Sequence, residues 1–120
     1  MSSNDKGGRI VRLFAVHRVV DGVRITTLNG TIDLDEQDVL REALLPEGEP
    51  VLPVVADMRG VTFLDSSGIN VLIRVHQQLS EAGFRLRIAA PTDTVRRVLS
   101  LVGIDTLIPC HSTLDDALNA

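Results

Sequence analysis

Two adjacent serines have the clearest chemical potential in this sequence. Ser66 and Ser67 precede Gly68 and follow an apolar run at residues 51–56, which predicts a buried strand. After them, the apolar spacing of residues 69–82 predicts a helix. The first N–H groups of a helix lack partners within it and carry partial positive charge, so this position favours anions such as phosphate. A hydroxyl there can cap the helix, or it can accept a phosphoryl group.

Helix capping accounts for only one of the two hydroxyls. A single serine suffices as N-cap, and its loss costs about 1 kcal/mol. A second serine followed by Gly68 has poor helix propensity at what we expect to be an exposed first turn. We expect Gly68, which has no side chain, to let another protein's active site approach the hydroxyl closely. Capping alone therefore does not explain both serines, and the pattern leaves a structural pair and a phosphate acceptor both open.

Asp33 and Asp65 are the candidate carboxylates for acid–base chemistry. Both precede expected helices, where carboxylates commonly serve as caps. Asp33 with Glu36 three residues later matches a capping box. We interpret Asp33 as a cap, and Asp65 as both a cap and a residue that faces a partner.

The remaining reactive side chains indicate neither an enzyme nor a cofactor site. His17, His76 and His111 lack the spacing of metal ligands. No Gly-x-Ser-x-Gly motif supports a nucleophilic serine. The single cysteine, Cys110, excludes an internal disulfide, suits a reducing cytoplasm and is expected in a loop. We therefore expect no catalytic residue, no cofactor and no metal.

The element order that must position the serines is β-β-α-β-α-β-α-β-α. Asp21-Gly22 between two β-branched runs predicts an N-terminal hairpin, whose second strand we expect to end at Gly30. The later expected elements are a helix from Asp33, a strand at Leu52–Ala56, the helix at 69–82 closed by Gly83, a half-buried strand at Phe84–Ile88, a helix from Thr92 to Val102, a short strand at Leu107–Ile108 and a helix capped by Ser112 or Thr113. This order predicts a single α/β domain with a mostly parallel central sheet, the hairpin at its edge and about four helices.

Length and charge exclude several classes of protein. The 120 residues suffice for one domain, expected at residues 9–120 after a flexible lead at residues 1–8. The net charge of −4 argues against nucleic acid as a partner. No apolar run approaches the roughly 20 residues of a membrane span. These features predict a cytoplasmic protein without membrane insertion.

The element order and the motif at residues 63–69, Phe-Leu-Asp-Ser-Ser-Gly-Ile, resemble the STAS domain, in the branch of bacterial anti-sigma factor antagonists. The stretch at residues 96–104 resembles the later half of that family. The resemblance implies that Ser67 is phosphorylated by a kinase-type anti-sigma factor, which uses ATP. It also implies that the unphosphorylated antagonist binds the anti-sigma factor and frees a sigma factor. Phosphorylation would end this binding, and a phosphatase would reset the switch.

The same resemblance implies a partner-binding surface and leaves a second function open. The expected binding residues are Asp33, Asp65, Ser66, Ser67, Gly68 and Asn70. The family's first signature differs here, because Thr31 stands where Glu is usual and Glu36 where Thr is usual. The alternative is a STAS subunit that supports a membrane lipid transporter, although such relatives often lack the double serine. Edge strands of such sheets can pair, so we expect a monomer or a weak homodimer. Since a helix N-terminus tolerates phosphate, we expect the switch to act by excluding the partner and not by refolding.

Overall fold

Five strands and four α-helices make up the described part of this computed structural model, residues 12–120. The strands are β1 (Leu13–Val20), β2 (Val23–Ile32), β3 (Val54–Leu64), β4 (Leu86–Ala89) and β5 (Cys110–His111). The helices are α1 (Gln37–Leu44), α2 (Ser66–Glu81), α3 (Asp93–Leu101) and α4 (Leu114–Leu118), with 3-10 turns at Leu34–Glu36 and Ile104–Thr106. The predicted element order is confirmed. The expected flexible lead at residues 1–8 lies outside the described residues.

The strands form one sheet in the order β1-β2-β3-β4-β5. The β1–β2 pair is antiparallel, and the other three pairs are parallel. Asp21 and Gly22 join β1 to β2 with φ values of 52° and 79°. Positive φ at both central residues is the requirement of a type I′ hairpin turn, which follows the twist of the strands it joins. The predicted α/β domain with an antiparallel hairpin at one edge is confirmed.

The second and third strands are longer than the sequence pattern predicted. β2 continues through Gly30, which has a φ of 115° and lies so close to β1 that a Cβ would collide with the carbonyl oxygen of Arg12. β3 continues eight residues past Ala56, and its pairing with β2 shifts register on both sides of Asn29 and Gly30. The expected strand ends at Gly30 and Ala56 are therefore wrong. The extension of β3 carries the chain directly to the start of α2.

The larger core lies on the sheet face that carries Val54, and the smaller lies on the opposite face with Val55. Successive strand residues point to opposite faces, so these two neighbours belong to different clusters. Helices α1, α2 and α3 contribute side chains to the larger core. The smaller cluster joins Val55 and Ala89 to Ala117 of α4.

The last strand lies later in the chain than expected. The last strand is Cys110–His111 and not Leu107–Ile108, because a 3-10 turn follows Gly103 and uses residues 104–106. Cys110 consequently lies in a strand and not in a loop. The predicted cap of the last helix was Ser112 or Thr113. Thr113 caps α4, because its hydroxyl accepts a hydrogen bond from the Asp116 N–H at 3.0 Å.

Candidate functional site

Asp65 is the N-cap of α2. Its Oδ1 accepts hydrogen bonds from the N–H groups of Ser67, at 2.9 Å, and Gly68, at 3.4 Å. The helix begins with Ser66, three residues earlier than predicted, so the cap is a carboxylate and neither serine fills that role. A negative charge here also stabilises the positive end of the helix dipole. The expectation that Asp65 caps a helix is confirmed.

The two serines differ in exposure and in bonding. Ser66 is exposed, whereas Ser67 is 9% exposed. The Ser67 hydroxyl donates to Asp65 Oδ1 at 2.5 Å, so its proton already points at an acceptor. The hydroxyl lies beside the first N–H groups of α2, which can receive an anion. The expectation that Ser67 stands freely exposed is wrong, because it lies at the margin of the surface.

Gly68 is buried, and its lack of a side chain serves core packing. A Cβ at this position would lie 2.5 Å from Leu64 Cδ1 and 2.6 Å from Ile32 Cγ2. The start of α2 thus rests directly on the ends of β2 and β3. The expectation that Gly68 sits at an exposed turn and leaves space for another protein's active site is wrong.

Asp33 organises the second helix start of the site. Its Oδ1 accepts from the Asp35 N–H at 3.0 Å, and its Oδ2 lies 3.5 Å from a guanidinium nitrogen of Arg12. Asp33 is therefore a cap, as predicted, but of the 3-10 turn that precedes α1. The Glu36 N–H bonds to the Asp33 backbone carbonyl at 3.0 Å and not to its side chain, so the capping-box prediction is wrong in that detail.

Two hydrogen bonds, one between backbone groups and one from a side chain, bring these two helix starts to the same end of the sheet. The Asp65 N–H donates to the Ile32 carbonyl at 3.2 Å, and Gln37 Nε2 donates to the Ser67 carbonyl at 3.4 Å. Two apolar side chains beside this end remain outside the core, Leu34 at 68% exposed and Phe63 at 47%. We name the combined area the Ser67 surface, made of Asp33, Leu34, Phe63, Asp65, Ser66, Ser67 and the exposed Asn70.

Leu34 and Phe63 were not predicted from the sequence as parts of this surface. Their only signal is position, since each is an apolar residue within two residues of a capping aspartate. Large apolar side chains left exposed together often mark sites of protein–protein interaction. The Ser67 surface therefore combines carboxylates, hydroxyls and two apolar anchors, which suits a protein partner better than a small-molecule substrate.

A third carboxylate, Asp57, is buried on the central strand β3. It is 0% exposed and binds the Arg59 guanidinium with both oxygens, at 3.2 and 2.9 Å. Its Oδ1 also accepts from the Arg59 N–H at 3.2 Å. The hydrogen bond to Asp57, and then its charge, raise the pKa of Arg59. This pair satisfies a buried charge and has a structural role.

The other reactive residues do not assemble with the serines. Among residues 12–120, no three His, Cys, Asp or Glu side chains are grouped so that they could hold a metal ion. Burial, and then the charge of Asp105, raise the pKa of the Cys110 thiol, and Arg96 opposes the shift. No helix in the described range is long and apolar enough to cross a membrane.

Comparison with known proteins agrees with this fold. The profile of the STAS domain matches residues 15–117. The chain is 31% identical over 102 residues to an anti-sigma-F factor antagonist, RsfB, of Mycobacterium tuberculosis, covering 82% of this chain and 80% of that protein. The crystal structure of an anti-sigma factor antagonist from Mycobacterium paratuberculosis superposes with a TM-score of 0.72 at 31% identity, covering 89% of this chain and 92% of the other.

A solved structure whose name indicates a different function shares the fold as well. The crystal structure of a sulfate transporter family protein from Wolinella succinogenes has a TM-score of 0.71 at 24% identity, covering 85% of this chain and 86% of the other. At that identity the likeness concerns architecture alone. The fold, the family match and the identity to the mycobacterial relatives together show that the chain belongs to the STAS domain family.

Proposed function

We propose that this chain is an anti-sigma factor antagonist of the cytoplasm, switched by phosphorylation of Ser67. In the unphosphorylated form it binds a kinase-type anti-sigma factor through the Ser67 surface and releases a sigma factor. The kinase then transfers the γ-phosphoryl group of ATP to Ser67 Oγ, the hydroxyl proton leaves, and ADP departs. A phosphatase then hydrolyses the phosphoserine and restores the Ser67 hydroxyl. The names of the mycobacterial relatives support the antagonist role.

The observation that carries this proposal is the hydrogen bond from Ser67 Oγ to Asp65 Oδ1. A hydroxyl whose proton points at a carboxylate has its oxygen lone pairs available to a phosphorus centre, and proton transfer has a nearby acceptor. Ser66 is more exposed, yet its hydroxyl lacks this arrangement among the described residues. Because Ser67 is 9% exposed, we expect the kinase to draw the first turn of α2 outward as it binds.

The same hydrogen bond explains how a phosphate can change the surface. Phosphorylation adds about −1.5 to −2 charge at an oxygen that lies 2.5 Å from the Asp65 carboxylate. The two anions repel, so they cannot both stay at the helix start. The phosphate is the stronger acceptor and can take over the N–H groups of Ser67 and Gly68. Asp65 then turns toward solvent, and the docking surface gains charge and bulk while α2 keeps a cap.

The apolar part of the Ser67 surface supplies the anchors for the partner. Leu34 and Phe63 flank the two aspartates and are large enough to fill pockets on another protein. Asp33, Ser66 and Asn70 form the polar remainder of the surface. Gly68 lies below this surface. Because it has no side chain, the start of α2 can pack closely against Ile32 and Leu64. The departures at Thr31 and Glu36 concern the first helix start, so we expect them to influence partner choice.

The alternative, an accessory subunit of a membrane lipid transporter, gains no support from the contacts at this site. A transporter-family neighbour shares the fold only, and nothing in that role requires a serine bonded to the capping carboxylate. We therefore keep one proposed function. A genomic neighbourhood with permease and ATPase genes, and without a sigma factor or kinase gene, would favour the alternative.

The test is a binding experiment with purified anti-sigma kinases from the same genome. Calorimetric titration compares the wild type with Ser67→Glu and with the matched control Ser66→Glu, which adds the same charge one residue away. We expect Ser67→Glu to weaken binding at least tenfold, about 1.4 kcal/mol, and Ser66→Glu to weaken it less. Equal affinity of wild type and Ser67→Glu contradicts charge exclusion, and no binding of any such kinase contradicts the proposed function.

A further inference from the structure

A small cavity lies at the end of the sheet opposite the Ser67 surface. It lies beside the start of β2, because Arg24 contributes to its wall. The end of α1, the loop between α1 and β3, and Gln78 of α2 form the rest of the wall. The cavity has a volume of about 280 Å³, whereas sites for drug-sized ligands have volumes of about 300–1,000 Å³. Its size therefore suits a small ion or a short organic acid.

The wall of this cavity contains a buried positive charge. Arg24 is 2% exposed and lines the cavity, and Arg41 of α1 lines it as well. A guanidinium has five N–H donors in a planar fork, which matches the oxygens of a carboxylate or a phosphate. A buried charge is tolerated only when it is paired and hydrogen-bonded. The partners of Arg24 therefore decide what the cavity can bind.

Arg24 is paired only loosely for a buried charge. Among the described residues its guanidinium donates to Glu49 Oε1 at 3.3 Å and to the Pro50 carbonyl oxygen at 3.4 Å. Charge-assisted bonds from a guanidinium to a carboxylate are normally about 2.7–2.9 Å long. The pair of Arg59 with Asp57 in the same chain is bidentate, and one of its bonds is 2.9 Å long. The counter-ion of Arg24 is thus held less tightly than that of Arg59, although Arg24 is the more buried guanidinium.

Glu49 is free to leave Arg24 at little cost. Its side chain is 47% exposed, and the hydrogen bond to Arg24 uses one of its two oxygens. An ion pair with an exposed partner contributes little to stability, because water solvates the released carboxylate well. Glu49 is therefore a counter-ion that another anion can replace.

We propose that this cavity binds a small oxyanion, a phosphate or a short carboxylic acid, which Arg24 holds with its planar fork. The ligand takes the place of the Glu49 carboxylate, which turns toward solvent. Two bonds from one guanidinium to one oxyanion then replace the single long bond to Glu49. Arg41 adds attraction for a negative charge, whereas Glu47 and Glu49 in the wall oppose it, so we expect weak binding that Glu49 limits. The proposal rests on this cavity alone, and its outcome is separate from that of the phosphorylation switch.

The first test is an NMR titration of the isotope-labelled full chain with sodium phosphate, sodium succinate and sodium chloride at equal ionic strength. We expect saturable shifts of the Arg24 Nε–H and of amides in residues 47–52 with phosphate, with succinate or with both. Which of the two anions binds distinguishes a phosphoryl ligand from a carboxylate ligand. Chloride is the control, because a single spherical ion cannot accept two parallel bonds from the fork. An absence of shifts in this loop with both oxyanions, or equal shifts with chloride, overturns the proposal.

Two variants of the loop test the displacement of Glu49. Glu49→Ala removes the competing carboxylate, and we expect it to lower the dissociation constant of the bound anion at least threefold, because the open form is then always populated. Glu47→Ala is the matched control, since it removes the same charge from the same wall and Glu47 is not among the groups that Arg24 contacts. Equal effects of the two substitutions on the dissociation constant overturn the proposal.

The melting temperature gives a second measurement on Glu49→Ala. In chloride this variant is expected to melt below wild type, since Arg24 loses its counter-ion, and the bound oxyanion is expected to restore the melting temperature. A melting temperature that the oxyanion raises no more than in Glu47→Ala overturns the proposal.

Arg24→Lys tests the guanidinium directly. Lysine keeps the positive charge but lacks the planar fork, so we expect the dissociation constant to rise at least tenfold, with thermal unfolding as the check on folding. Unchanged affinity in a folded Arg24→Lys variant overturns the role of Arg24. The comparison of Glu49→Ala with Glu47→Ala decides the proposal where Arg24→Lys does not fold.

Discussion

Substitution of Gly68 by alanine separates helix propensity from core packing. Propensity alone predicts stabilisation by about 1 kcal/mol. The added methyl, however, would lie 2.5 Å from Leu64 Cδ1 and 2.6 Å from Ile32 Cγ2, whereas carbon atoms rest about 3.5–4.0 Å apart. Ile32 is 0% exposed and its Cγ2 branches from Cβ, close to the strand backbone, whereas Leu64 is 3% exposed. Overpacking of this kind costs about 1–3 kcal/mol, so we expect a net loss of about 1 kcal/mol.

Urea unfolding of wild type and Gly68→Ala measures this balance as a change in midpoint at constant slope. Ser66→Ala is the control for helix propensity, because Ser66 is exposed in the same first turn. Repeating Gly68→Ala in a Leu64→Val background removes one of the two clashing atoms, and we expect a smaller loss there. A Gly68→Ala variant more stable than wild type would refute the packing argument and restore the interpretation from propensity.

Three further substitutions or reactions test other contacts. Asp65→Ala removes the N-cap of α2 and is expected to lower the free energy of unfolding by about 1 kcal/mol in urea titrations; an unchanged value contradicts the capping role. Arg59→Ala leaves the buried Asp57 carboxylate without its bidentate partner and is expected to lower the thermal midpoint, with Arg59→Lys intermediate. Because burial raises the pKa of Cys110, its alkylation at neutral pH is expected to be slower than that of a free thiol and to accelerate only at higher pH. The folded state favours the neutral thiol, so this contribution to stability is present below the ordinary thiol pKa and is lost as pH rises through the folded-state value.

Local signals predicted the ends of several elements correctly. Asp21-Gly22 specified the hairpin because both residues adopt positive φ. Thr92 caps α3, and its hydroxyl accepts from the Val95 N–H at 3.3 Å. Gly83 follows α2 with a φ of 83°. In each case the information lies within a few residues of the chain, so a pattern rule can recover it.

Two of the errors, at Gly30 and at Gly68, concern contacts between residues distant in sequence. Gly30 looked like the end of a strand, but its missing side chain accommodates β1. Gly68 looked like an opening for another protein, but it accommodates Ile32 and Leu64. A glycine in a sequence indicates that a side chain is not tolerated or not needed there. It does not indicate whether the neighbour is solvent, a partner or another strand.

The Ser67 surface was recoverable only in part. The motif identified Asp65 and the serines, and the resemblance distinguished Ser67 from Ser66. Asp65 is the N-cap, and Ser67 donates a hydrogen bond to it. These separate roles depend on side-chain geometry, which the spacing of residues in the sequence does not determine. Leu34 and Phe63 were missed because an apolar residue in a globular protein is ordinarily assigned to the core.

The most direct test of the account is to incubate the full chain with a purified anti-sigma kinase from the same genome and ATP, then to map phosphate by mass spectrometry. Ser66→Ala and Ser67→Ala are assayed in parallel, with melting temperatures as the control for folding. The account predicts phosphate on Ser67 in the wild type and in Ser66→Ala, and none in Ser67→Ala. Phosphate on Ser66 with Ser67 unmodified, or phosphorylation that survives Ser67→Ala, would contradict it.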